Sequence, residues 1–363
     1  MRVFGIICEY NPFHCGHKWQ LDELRRRNGT EECGIVCAMS GEFVQRGDFA
    51  IERAHARAEA AVRGGADLVL ELPLPWSIAS AEGFARGGVG VLNATGIVDT
   101  LVFGSECGET EKLRRAAEAL LREDFSERLR DELSKGLSFA AARESAARAL
   151  IGEDAGVLAE PNDILGVEYC KALLQSDSTI TPLAMERRAV GHNEGAAEGF
   201  ASASYIRALL AGGEDASAFL TAESAAIYAR ECAAGRAPVT MKGAERAMLS
   251  RLRMLEEADF ARYDSGGEGL YRRFYAAVRT AASVDELLGT VKTKRYAYAR
   301  LRRMLLAAYL DIAAAELPQE IPYLRVLACN ERGRMLLRAI KNEGSAPVLT
   351  KSADVRSLSE EAQ

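Results

Sequence analysis

Residues 3–20, VFGIICEYNPFHCGHKWQ, constrain this chain most: an apolar run breaks at Asn11-Pro12, passes through a turn carrying His14, Gly16 and His17, and opens into an amphipathic segment. The pattern predicts a buried strand over Val3–Cys8 and a helix over Lys18–Arg27. The two histidines then stand at a helix mouth, where unpaired backbone N–H groups and the positive end of the helix dipole favour an anion. Imidazole N–H groups would complete a phosphate cradle. Gly16 lets a ligand approach the backbone, and the three-residue spacing puts both rings on one side of the first turn. A zinc site fits less well, because metal-binding helices space histidines four apart around a Glu and no third ligand is near. The other reading is a pair of structural histidines at a turn.

The first two hundred residues alternate strand-like and helical runs. Strands are expected at Val3–Cys8, Gly34–Met39, Asp67–Leu72 and Thr100–Phe103, and helices at Lys18–Arg27, Ile51–Arg63 and Ala79–Ala94. Such alternation implies a Rossmann-like α/β fold, a parallel sheet wound by helices. Ligands of these sheets bind outside the carboxyl ends of the strands, where the HxGH turn, the 40–48 loop and the Gly104-Ser105-Glu106 turn would emerge together. After residues 200–210 helical patterns dominate to about residue 316. At 363 residues two domains are expected: an α/β unit over 1–212 that carries the HxGH turn and a mainly helical unit over 213–363. Pro318, Pro322 and the apolar piece Tyr323–Leu327 suggest a strand returning to the first domain. The tail from Ser352 is polar and expected to fray.

Hydrophobic residues at 48% and charged residues at 27% are ordinary globular values. Eight cysteines lie scattered without CxxC pairs, which reads as reduced thiols in a cytoplasmic protein, with Cys33 and Cys37 buried in a strand. No apolar run approaches a membrane span, and no obligate protein partner is inferred. No metal-ligating set is assigned.

Other segments could carry chemistry. In ASASYIR, residues 201–207, Ser202 or Ser204 can cap a helix whose free N–H groups face outward, with the planar cation of Arg207 one turn on. The glycine-flanked loop of residues 41–47 presents Gln45 and Arg46 as a substrate loop or lid. Asp67 and Glu71 alternate with apolar residues and are read as a solvated strand face. The net charge of −6 argues against indiscriminate nucleic-acid binding. A local basic face nevertheless falls out of Lys292–Arg303 read as a helix: Lys292, Arg295, Arg300, Arg302 and Arg303 occupy roughly a 160° sector, with Tyr298 and Leu301 turned to a core. Lys294 belongs to the same run, and Tyr296 could stack on an unpaired base. Lys242, Arg246, Arg251 and Arg253 would extend the surface.

EYNPFHCGH, MSGEFVQRGDFAI at 39–51, GADLVLELP at 65–73, EPNDILGVEY at 160–169, ASASYIR and KTKRYAYARLRR at 292–303 together resemble the bacterial tRNA(Met) cytidine acetate ligase family, over most of the chain. HxGH alone would indicate only the wider nucleotidyltransferase superfamily. The resemblance implies that ATP and acetate form acetyl-adenylate, which acetylates N4 of the wobble cytidine of elongator tRNA(Met). It makes His14 and His17 the catalytic pair, assisted by Arg207 and Mg²⁺. It also carries ATP contacts onto Ile7, Glu9, Tyr10, Asn11, Pro12, Phe13, His14, Gly16, His17, Gln20, Gly104, Asn162, Arg187, Ser202, Ser204 and Arg207. Arg187 fits the family pattern better than Arg188, although MERRAVGHN departs from that pattern by lacking a residue before His192, so the choice between the two arginines stays open. Arg53, where the family tends to carry Lys, is assigned no catalytic role. The alternatives are an adenylyl- or cytidylyltransferase acting on a small phosphorylated acceptor, and an RNA-binding protein with a regulatory nucleotide site.

Overall fold

The strand expected first forms as β1 (Arg2–Cys8), with Val3 to Ile7 all buried. Consecutive apolar residues need cover on both faces, which only the interior of a helix-flanked sheet provides. The structure, a computed structural model, describes residues 1–29, 33–187, 196–197, 200–264, 266, 269–313, 318 and 320–360. Beside β1 lies β2 (Cys33–Ser40) and beyond it β3 (Leu68–Leu72); on the other side lie β4 (Thr100–Ser105) and then β5 (Thr181–Glu186), all parallel. β6 (Leu324–Cys329) runs antiparallel against β3, and β7 (Val348–Leu349) pairs with β6, giving a seven-stranded sheet of order β7-β6-β3-β2-β1-β4-β5. Strand order reverses across β1 and β4, so a crevice opens at their carboxyl ends.

Alternate strand residues separate the two faces. Phe4, Ile6, Ile35, Cys37 and Val69 pack with α1 (Cys15–Asn28) and α2 (Ala54–Arg63), while Val3, Ile7, Val36, Ala38 and Leu70 pack with α3 (Ala81–Ala94) and α4 (Pro161–Gln175). Three expected boundaries move for local reasons. α1 starts three residues early because His14 caps it. α2 starts at Ala54 because the Ile51 amide is taken by the Asn11 side chain at 2.8 Å. α3 starts at Ala81 because Ser80 caps it, accepting from Gly83 at 3.3 Å.

α5 (Ala203–Gly212) follows the sheet's first pass, and a run of helices from Ala222 ends in α6 (Tyr298–Leu310). Met248, Phe260, Phe274, Leu287, Leu301 and Leu305 form a separate core there. The division expected after residue 212 does not follow the sheet: β6, α7 (Glu331–Glu343) and β7, all from the C-terminal part, complete it. The tail from Ser352, expected to fray, forms a 3-10 turn over Ser352–Ser357 whose Asp354 accepts from the Lys351 amide at 2.9 Å.

Asp67 corrects the reading of a solvated strand face. It is 1% exposed, accepts from the Ile35 amide at 2.9 Å and from Asn330 at 2.9 Å, and pairs with Arg25 at 2.8 Å. One carboxylate thereby ties β2, the end of α1 and the cap of α7 together. Glu71 pairs with Arg325 of β6 at 2.9 Å. Cys33 and Cys37 are buried as expected, and the described cysteines are all free thiols.

α7 reaches the sheet only because residue 333 is glycine: a Cβ there would sit 2.1 Å from the Asp67 carbonyl oxygen. Gly333→Ala is therefore expected to lower the unfolding free energy by about 2 kcal/mol in denaturant titrations.

Candidate functional site

His14 is the N-cap of α1 and His17 its third residue. Expected at the helix mouth with both rings on one side of the first turn, they stand there and make a reciprocal capping box from two imidazoles: His14 Nδ1 accepts from the Gly16 amide at 3.1 Å, and His17 Nδ1 accepts from the His14 amide at 3.3 Å. The rings stack with centroids 3.7 Å apart. Each Nδ1 is spent as an acceptor, so the proton of each neutral ring sits on Nε2. Desolvation, with Arg187 and Arg207 nearby, pushes His14 down to about 3. Desolvation, the neighbouring His14 and Arg187 hold His17 well below the ordinary imidazole value. The pair is thus two neutral N–H donors. A Cβ on residue 16 would press within 3.0 Å of the His14 ring, so Gly16 leaves that ring its place.

The turn before the helix is held rigidly. Tyr10 and Phe13 are 1% and 0% exposed and back His17, with ring centroids at 4.7 and 5.7 Å. Pro12 is buried; Ile7 packs in the core on the α3 and α4 face of the sheet, whereas Tyr10 and Phe13 pack on the α1 and α2 face. Gln20 is half-buried on α1. The Asn11 carbonyl accepts from Arg207 at 2.7 Å. Beneath the turn lies a residue the sequence reading missed. Arg57 is 0% exposed and donates to the carbonyls of Glu9, Ser40, Gly41 and Glu52, the last at 3.1 Å. Its signal was an arginine among the buried alanines of α2, at 54, 56, 58, 60 and 61.

The opposite wall is a second unforeseen network. Asp163 accepts from the Glu106 amide at 2.9 Å, while Glu106 caps α4 by accepting from the Asp163 amide at 2.9 Å and from Asn162 Nδ2 at 2.5 Å. This fixes Gly104, where a Cβ would stand 3.1 Å from Arg187 Cγ, and Asn162, whose Oδ1 lies 3.4 Å from Arg187 Nη1. Ser202 caps α5, accepting from the Tyr205 amide at 3.2 Å, and Ser204 is exposed one turn before Arg207. Arg188 and His192 lie outside the described residues. Arg53 pairs with the buried carboxylate of Glu231 at 2.8 Å.

The 41–50 loop is a hairpin, Phe43–Val44 against Asp48–Phe49, and Gln45 at its tip donates its amide to Glu9 Oε1 at 2.7 Å. Arg46 is exposed beside it. The basic segment differs most from expectation. Residues 292–297 are not helical, since α6 begins at Tyr298, so the segment presents no single charged face. Lys292 Nζ donates to the Thr293 carbonyl at 2.9 Å and the Tyr296 carbonyl at 2.5 Å. Tyr296, expected to stack on a base, is 5% exposed beneath the Arg300 guanidinium, and Arg300 stands 3.6 Å from Asp264. Arg302 pairs with Asp48, and Arg303 lies 3.4 Å from the Gln45 carbonyl; desolvation and the nearby Arg300 push Arg303 down to about 10. Leu301 is in the core but Tyr298 is exposed. Lys294, Arg295, Lys242 and Arg246 are exposed, whereas Arg253 donates to the Ala281 carbonyl at 2.7 Å and Arg251 reaches Asp311 at 3.4 Å. Among the described residues no group of three His, Cys, Asp or Glu is placed to hold a metal, and no helix is long and apolar enough to cross a membrane.

Residues 1–362 match the family model described as HIGH Nucleotidyl Transferase. A tRNA(Met) cytidine acetate ligase of Fervidobacterium nodosum is 37% identical, covering 100% of this chain and 87% of the relative. Another of that name, from Acetivibrio thermocellus, is 37% identical over 98% of this chain and 89% of its own. The crystal structure of Thermotoga maritima TmcAL bound with alpha-thio ATP superposes with a TM-score of 0.91 at 34% identity, covering 98% of this chain and 87% of that one. Its apo form I gives 0.93 at 33% identity, covering 100% and 90%.

The neutral His14 has a sign consequence for acid stability. Between its ordinary value of 6.5 and about 3 the unfolded chain binds a proton at this residue that the native chain does not, so stability falls as pH is lowered through that window. The slope is at most about 1.4 kcal/mol per pH unit. His14→Asn, which keeps an N-cap acceptor, is expected to show a shallower loss than the parent in unfolding titrations from pH 7 to 4.

Proposed function

This chain belongs to the HIGH nucleotidyl transferase family and, within it, to the tRNA(Met) cytidine acetate ligases, and from that membership we propose an ATP-dependent ligase that acetylates N4 of the wobble cytidine of elongator tRNA(Met) in the cytoplasm. The observation that carries the reading is the pair of neutral Nε2–H donors at the mouth of α1, with Arg187 and Arg207 close by. That set suits a triphosphate: cations supply attraction, and uncharged donors follow charge as it moves between oxygens. Acetate oxygen attacks the α-phosphorus and the bond to the β-phosphate oxygen breaks, releasing pyrophosphate. His14 and His17 donate to the oxygens that gain charge. Ser202, Ser204, the free amides of α5 and Arg207 hold the outer phosphates, while Gly104, Asn162 and Arg187 line the other wall. Cytosine N4 then attacks the acetyl carbonyl, AMP departs, and N4 loses a proton. A mixed anhydride held beside N4 makes activation and proximity the main devices, because the N4 lone pair is delocalised.

Mg²⁺ would enter this site with the nucleotide, since it keeps several waters and binds largely through substrate phosphates rather than protein cages. It would add charge neutralisation on the phosphates. Lys294 and Arg295, together with Lys242 and Arg246, are the exposed cations we assign to tRNA.

The test is to incubate the protein with ATP, labelled acetate and bulk bacterial tRNA and measure acetylated cytidine. Acetate-dependent exchange of pyrophosphate into ATP is expected, whereas exchange that requires a phosphorylated acceptor would support the transferase alternative. His17→Ala is expected to lower that exchange by about 10²-fold or more with the fold intact. Arg295→Ala is expected to weaken tRNA binding, reduce its salt slope by about one and leave acetate activation unchanged.

A further inference from the structure

The contact between α6 and the 41–50 hairpin points beyond that reading while resting on it as a nucleotide site: we propose that Arg302 is a positioning residue for ATP rather than an RNA ligand. Its guanidinium pairs with the Asp48 carboxylate and its Nε donates to the Gly47 carbonyl at 3.3 Å. Next to it, Arg303 Nη1 reaches the Gln45 carbonyl at 3.4 Å. The main chains also touch. Gly47 has φ +73°, and a Cβ there would lie 2.4 Å from the Arg303 amide nitrogen, so the hairpin tip rests directly on helix backbone. From the same tip the Gln45 amide donates to Glu9 at 2.7 Å, five residues before His14, and the Glu9 carbonyl is gripped by Arg57. Arg302 is thus joined to the start of the histidine turn by an unbroken series of contacts.

Charge gives the contact its second role. Asp48, Arg46 and Arg302 all lie within electrostatic reach of Arg207, which holds the Asn11 carbonyl at the site. Paired with Arg302, the half-buried Asp48 carboxylate is neutralised. Unpaired, it competes for Arg207 and repels a triphosphate. An arginine whose sequence setting suggests RNA therefore keeps an acid out of the phosphate site.

The experiment uses the full chain without tRNA and reads ATP affinity by calorimetry, KM for ATP in acetate-dependent pyrophosphate exchange, and the thermal midpoint. Arg302→Ala is expected to weaken ATP binding and raise KM about tenfold at an unchanged midpoint. Arg302→Lys should fall between. Asp48→Asn in the Arg302→Ala background should recover most of the loss, and Arg334→Ala, which removes an exposed cation from α7, should match the parent. The proposal is overturned if Arg302→Ala leaves ATP affinity and KM within twofold of the parent, or if the loss is the same with and without the Asp48 carboxylate. A parent that binds ATP without acetate-dependent exchange defeats the ligase reading alone, and the affinity comparison still decides the role of Arg302. A parent that ignores ATP defeats both.

Discussion

The site depends on one buried cation. Arg57 lies wholly inside the protein and its guanidinium gathers main-chain carbonyls from the end of β1, the end of β2 and the approach to α2. Burying a charge is costly unless it is surrounded by polar partners, and here carbonyl dipoles supply them, aided by the charges of Glu42, Glu52 and Glu9. Desolvation raises Glu52 to about 7 against the pull of Arg57, so this carboxyl is not a fully committed counter-ion near neutrality. The consequence is geometric. Strand ends that would otherwise fan into independent loops are drawn to one point, and the histidine turn, the hairpin and α2 take fixed positions around it.

Upon that frame the site divides attraction from response. Arg187 and Arg207 bring permanent positive charge to a protein of net charge −6. His14 and His17 add none, because desolvation above all keeps them neutral, helped by Arg187 at both rings and by Arg207 at His14, and their capping box commits both Nδ1 atoms. Donors oriented before a ligand arrives need little reorganisation when charge shifts between phosphate oxygens. The same economy appears opposite, where Glu106 and Asp163 cap one another's segments and leave Asn162 and Gly104 fixed.

Features with a short-range physical signature were legible without coordinates. A six-residue apolar run, a proline break and a helical period specify a strand, a turn and a helix from neighbouring residues alone, and the returning strand at Tyr323–Leu327 was visible from its prolines and apolar content. Arg57, Asp163 and Glu106 were not, because each bonds backbone atoms 16 to 57 residues away. The basic segment shows the opposite failure. A helical wheel assumes a continuous helix in water, but the chain from 292 to 297 turns, Tyr296 goes inside, and Asp48 and Asp264 arrive from other elements.

By itself, then, the order of residues determined the alternating elements, the parallel sheet and the identity of the histidine turn, since these follow from periodicity and local backbone chemistry. Tertiary structure alone decided which charges face solvent and which are spent inside. That choice depends on partners distant in the chain, and the energy of an ion changes far more with its surroundings than that of an apolar side chain does.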